Sequence, residues 1–160
     1  MSGRDSGSYP RGTARDAARL LARRAAPESE DVVQLLLRDP RSSVREAMVS
    51  ALLEVRREAA IPLLLRCLGQ DRAGGQNVLE GLLDSELDGL DVRGKIADVV
   101  TGSRDRDEIV GALSAIGWLA PGGGFPASAA LRRRVRELGE SPDEPIRVLA
   151  NAALAALAAS

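Results

Sequence analysis

The 160-residue chain contains no histidine, one cysteine, one lysine, and one each of tryptophan, tyrosine and phenylalanine. Each shortage excludes something. Without histidine there is no Ser-His-Asp or Cys-His arrangement, no imidazole acid–base catalyst and no histidine zinc ligand. A lone Cys67 permits neither an intrachain disulfide nor a CxxC cluster. It falls beside an apolar stripe and reads as a small buried hydrophobe. No apolar run reaches the ~18 residues of a membrane span. The N-terminus lacks the apolar core of a secretory signal, so a cytoplasmic location is expected. The glycine-rich PGGGFP (residues 121–126) is not followed by Lys-Ser or Lys-Thr, so it is not a phosphate-binding P-loop. No cofactor or metal is expected, and no enzymatic activity.

What is present is aliphatic and charged. Hydrophobic residues make up 44% of the chain and aromatics 2%, so its core must be Leu, Val, Ile and Ala. Lys95 is the only lysine, and the preference for arginine suggests a GC-rich bacterial genome. The net charge of −1 gives no bulk attraction to nucleic acid or membrane. Locally the balance differs. Residues 1–24 carry six arginines against Asp5 and Asp16, a charge of +4, whereas residues 80–108 carry −5.

The most legible stretch is 39–70, DPRSSVREAMVSALLEVRREAAIPLLLRCLGQ. Val44, Ala47, Met48, Ala51, Leu52 and Val55 recur at helical spacing and define one apolar face. Ser42 or Ser43 is placed to cap that helix, with Glu46 completing a capping box after Ser43. A second helix follows over 58–68, with Pro62 in its first turn and Gly69 as its stop. The short break between them predicts antiparallel neighbours.

The pattern repeats. A shift of 102 lays Ile146, Arg147, Leu149, Ala150, Ala153, Leu154 and Leu157 on the 44–55 face. A shift of 30 the other way gives Ala14, Arg15, Ala17, Ala18, Leu21, Ala22 and Ala25. A shift of 65 gives Ile109, Ala112, Leu113, Ile116 and Ala120. Intervening helices are expected near 29–38, 77–87, 91–100 and 128–138. Residues 1–10, MSGRDSGSYP, read as a disordered tail, and 11–160 as one domain.

On the residues DPRSSVREAMVSALLEV the chain resembles bacterial HEAT-repeat proteins of the phycocyanobilin-lyase-like type. Those proteins place an Asp in the turn and an Arg six residues later, and Asp39 and Arg45 fit. The last repeat keeps Arg147 but has Ser141 for the Asp, which interrupts any ladder of Asp–Arg contacts. The resemblance implies an all-α fold: a short right-handed α-solenoid of antiparallel hairpins, about nine helices. It also implies a concave face lined by the second helix of each hairpin. By phase that face would present Asp16, Arg19 and Arg23, then Glu46, Ser50 and Arg57, then Ser114 and Trp118, then Asn151. Leu53 and Val148 fall off the core phase and would add apolar contacts. Asp39, Arg45 and Arg147 would serve structural roles between repeats.

The expected function is a non-enzymatic scaffold that binds another protein. The alternative is a nucleic-acid-binding or glycosylase-like protein using the arginines of the first helix together with Arg132, Arg133, Arg134 and Arg136. That alternative requires both arginine groups on one face. For Trp118 two placements remain open: packed under the 121–126 loop, or exposed as a partner anchor.

Overall fold

The computed structural model describes residues 11–24, 26–70 and 74–159. The expected tail, residues 1–10, lies outside them. Among the described residues there are nine α-helices and no strand. They are α1 (Arg11–Arg23), α2 (Pro27–Leu37), α3 (Ser42–Arg56), α4 (Ile61–Gln70), α5 (Gly75–Leu87), α6 (Val92–Gly102), α7 (Arg106–Leu119), α8 (Ala129–Leu138) and α9 (Glu144–Ala158). Short 3-10 turns span Arg57–Ala60 and Ala120–Gly122. The helices form the expected all-α solenoid of hairpins, and one buried aliphatic cluster runs from Ala18 to Leu157.

Three turns share a local device that sets where a helix begins. The Asp39 carboxylate accepts the Arg41 N–H at 2.9 Å, the Ser103 hydroxyl that of Asp105 at 3.1 Å, and the Ser141 hydroxyl that of Asp143 at 3.2 Å. Asp105 and Asp143 then cap α7 and α9 through Glu108 N–H and Ile146 N–H. Ser42 and Ser43 do not cap α3, which starts after Arg41 with no side-chain cap. The Ser42 hydroxyl instead accepts from the Asn77 amide at 3.3 Å.

These starts place α7 64 residues after α3 rather than 65. At that offset Ala112, Leu113, Ala115, Ile116 and Leu119 fall on Met48, Val49, Ala51, Leu52 and Val55. Arg45 and Arg147 also make equivalent bonds. Each donates to the backbone carbonyl six residues earlier, Arg45 to Asp39 O at 2.7 Å and Arg147 to Ser141 O at 3.2 Å. Because the acceptor is main chain, Ser141 serves as well as Asp39. Arg45 also reaches across to the Asn77 side chain at 2.9 Å, tying α3 to α5.

The Asp39 carboxyl is held at about 2, below its ordinary 3.8, chiefly by the Arg41 guanidinium and then by the Arg41 N–H. A carboxyl with a depressed folded-state pKa contributes stability above its unfolded value and loses it as pH falls through the folded one. Asp39→Asn is therefore expected to lower the melting temperature at pH 7. The difference from wild type should shrink as pH drops from about 4 to about 2, which thermal scans across that range would read.

The stacking has one irregularity that governs the surface. The second helices α1, α3 and α5 pack in succession, as do α7 and α9, but α5 has little contact with α7. Instead α4 packs on α7, the most extensive helix pair in the molecule. Two glycines allow it. A Cβ on Gly69 would stand 1.9 Å from the Asp107 carbonyl oxygen, and one on Gly111 would stand 1.8 Å from that of Leu65. Gly69 is thus not a helix stop: α4 continues to Gln70, and the missing side chain lets the two backbones meet.

Candidate functional site

The exposed face of α1, α3 and α5 carries two adjoining grooves. The first lies between α1 and α3 and is bordered by Arg15, Arg19, Glu46, Ala47, Ser50 and Glu54. The second lies between α3 and α5, encloses about 330 Å³, and is lined by Ser50, Leu53, Glu54, Gly81, Asp84, Ser85, Asp88 and Leu90. Ser50 and Glu54 border both, so the grooves open on one face with α3 as the ridge between them. Gly81 brings α5 close to α3, since a Cβ there would meet Val49 Cγ1 at 2.4 Å.

The electrostatics of this face are asymmetric. Arg19 donates to Glu54 across the first groove at 3.1 Å and contacts Asp16 at 3.4 Å. Arg15 and Arg23 make no ion pair among the described residues, and neither do Glu46, Glu80, Asp84 and Asp88. Cationic charge therefore lies on the α1 side and anionic charge on the α5 side.

The residues proposed from sequence fall into two groups. Asp16, Arg19, Arg23, Glu46 and Ser50 belong to the α1–α3 part of this face, and all but the half-buried Arg19 are exposed. Arg57 is exposed just beyond α3 with φ 52° and ψ −133°. Ser114, Trp118 and Asn151 belong to α7 and α9, beyond the break in stacking. Ser114 is half-buried and donates its hydroxyl to Val110 O at 2.9 Å; Asn151 donates to Arg147 O at 2.9 Å. Trp118 is 43% exposed, and the aromatic that the 121–126 loop tucks inside is Phe125, 7% exposed. Leu53 is buried between α3 and α5, where it lines the second groove, whereas Val148 is exposed.

Arg15, Ala47, Glu54, Asp84 and Asp88 line the grooves and were not singled out by phase. Arg15 precedes Arg19 by four residues, the signal that would have found it. The α5 residues carried no such signal, because the pattern around 78–83 is weak.

Arg57 is the only non-glycine residue with positive φ among the described residues. That corner favours glycine, so Arg57→Gly is expected to raise the stability by about 1 kcal/mol. The melting temperature would rise by about 2–4 °C.

The two arginine groups sit on helices that do not pack closely on each other. Helix α1 packs on α2 and α3, and α8 on α6 and α9. Two of the α8 arginines are engaged within the fold: Arg132 donates to Ala127 O at 3.3 Å and Arg134 to Val100 O of α6 at 3.4 Å. No helix among the described residues is long and apolar enough to cross a membrane.

Stacked hairpins, the second helices α1, α3 and α5 in succession and a groove-bearing face define an α-solenoid. A family model described as HEAT repeats matches residues 8–88, just over half of the chain. The chain belongs to the HEAT-repeat family. The match ends one residue past α5, where the regular stacking of second helices gives way to the α4–α7 contact. No curated protein and no solved structure matches the chain significantly.

Proposed function

We propose that the protein is a non-enzymatic scaffold of the bacterial, phycocyanobilin-lyase-like HEAT type. It works in the cytoplasm as one domain over residues 11–160 and holds another protein against the face of α1, α3 and α5. The observation that carries this reading is the continuity of the two grooves across Ser50 and Glu54, on a surface that combines apolar, cationic and anionic positions. An extended face of this kind suits a protein segment better than a small molecule, which needs an enclosed apolar pocket. The split of the arginines between α1 and α8 favours this reading over nucleic-acid binding, which gains from cations gathered along one track.

The test is capture from native lysate with three chains: wild type, Ser50→Arg and Arg133→Glu. Ser50→Arg fills the point where the grooves meet; Arg133 lies on α8, away from them. The expected result is a protein retained by wild type and Arg133→Glu but lost with Ser50→Arg. Retention by all three, or a nuclease-sensitive capture lost with Arg133→Glu, would contradict the proposal.

A further inference from the structure

Two stripes on this face are complementary to each other. On α1, Asp16, Arg19, Leu20 and Arg23 follow the i, i+3, i+4, i+7 spacing of one helix face. On α5, Glu80, Leu83, Asp84 and Leu87 follow the same spacing. Each stripe exposes leucine: Leu20 at 57%, Leu83 at 39% and Leu87 at 83%. The first is cationic, with Arg19 already holding Asp16. The second is anionic, and neither Glu80 nor Asp84 makes an ion pair among the described residues.

The two helices flank α3 on either side, each packing against it. A second copy of the chain, turned by a half-rotation about an axis running along α3, would set the α1 stripe of each copy against the α5 stripe of the other. A half-rotation about an axis across α3 would instead set α1 against α1 and α5 against α5, where like charges oppose. The charge pattern thus selects one two-fold arrangement, and such interfaces are self-complementary and closed.

We propose that this face associates with a second copy of the same chain through two symmetry-related α1–α5 contacts, leucine against leucine inside a rim of arginine–carboxylate pairs. This rests on the reading of the face as a protein-binding surface and names its occupant. Glu46 and Glu54, both exposed on α3, would meet their own counterparts near the axis as like-charge contacts.

Sedimentation velocity with the intact chain at low and high salt tests it. Wild type is expected to form a dimer that weakens as salt rises, because exposed charge pairs are screened. Arg19→Glu with Arg23→Glu makes the α1 stripe acidic like the α5 stripe; Glu80→Arg with Asp84→Arg makes the α5 stripe basic like the α1 stripe. Each chain alone is expected to lose association by tenfold or more, and an equimolar mixture of the two to recover it as a heterodimer. Glu46→Gln is expected to tighten the wild-type dimer. The α5 pair makes no ion pair among the described residues, so it reports independently if the α1 pair disturbs the Arg19–Glu54 contact. A wild-type chain that stays monomeric would overturn the proposal, as would a dimer indifferent to both reversals or a mixture that does not recover. None of these outcomes bears on capture of a different protein, which the Ser50→Arg comparison reads separately.

Discussion

Gly111→Ala is expected to lower the stability by about 3 kcal/mol, while Gly117→Ala, six residues along the same helix, is expected to raise it. Ordinarily a glycine-to-alanine change inside a helix is favourable by about 1 kcal/mol, since alanine loses less backbone freedom. Gly117 follows that rule, having nothing within 4 Å of the position its Cβ would take. Gly111 does not. Its Cβ would stand 1.8 Å from Leu65 O and 3.1 Å from Gly69 N. Both are backbone atoms of α4, so no rotamer change relieves the overlap and the helices must separate. Separation would loosen the side-chain contacts along the most extensive helix pair in the molecule, including the Gln70–Asp107 and Arg66–Glu108 bonds at 3.1 and 3.0 Å. Gly69→Ala faces the same obstacle from the other side, 1.9 Å from Asp107 O. Thermal unfolding followed by circular dichroism would show a fall of roughly 6–12 °C for Gly111→Ala and a rise of about 2–4 °C for Gly117→Ala. Equal and small effects at both positions would mean that α4 and α7 do not touch through their backbones.

The second large effect separates the two candidate aromatics. Phe125→Ala is expected to cost about 3 kcal/mol, at the lower end for a buried phenylalanine because its site is at a loop. Trp118→Ala should cost about 1 kcal/mol, as much of its ring stays in water. Phe125 anchors the loop after α7 into the aliphatic cluster. The Arg93 guanidinium sits over its ring, 5.9 Å from the centroid. Arg93 also donates to Gly123 O and to the Glu86 carboxylate, so one side chain links α5, α6 and the loop. Gly123 and Gly124 turn the chain with φ of 79° and 74°, which lets Phe125 point inward. Urea denaturation of the two variants gives the comparison, and a larger loss for Trp118→Ala would reverse the assignment.

The helices themselves were legible because the 3.6-residue period is strong where a helix has one wet face. Residues 44–55 and 146–157 show this, and their alignment at 102 residues holds in three dimensions. Legibility failed where a contact from far along the chain decided the matter. Gly69 carries the local signature of a helix end, yet its reason is the backbone of α7. Leu53 lies off the core phase of an isolated α3, and it is buried because α5 approaches through Gly81. Helix α7 was assigned one core face but buries most of its residues, since α4, α6 and α9 all pack on it. A helix covered on several sides loses its amphipathic contrast.

The candidate surface was half legible. Asp16, Arg19, Arg23, Glu46 and Ser50 follow from phase alone, because α1 and α3 repeat the same face. Extending that face to Ser114, Trp118 and Asn151 assumed that every second helix stacks on the one before. The α4–α7 contact interrupts that succession after α5. The Asp–Arg pattern suggests a contact that Ser141 would interrupt, whereas the arginine bonds a main-chain carbonyl that any residue supplies.

The most direct test of the scaffold reading is where a bound protein sits. A photo-activated cross-linker can be carried on a cysteine at Ser50 and, in a separate chain, at Trp118, with the buried Cys67 replaced by alanine in both. The expected result in native lysate is a discrete adduct from Ser50 and none from Trp118. An adduct of the same protein from Trp118 alone would place the binding surface on α7 and α9 and contradict the assignment to α1, α3 and α5.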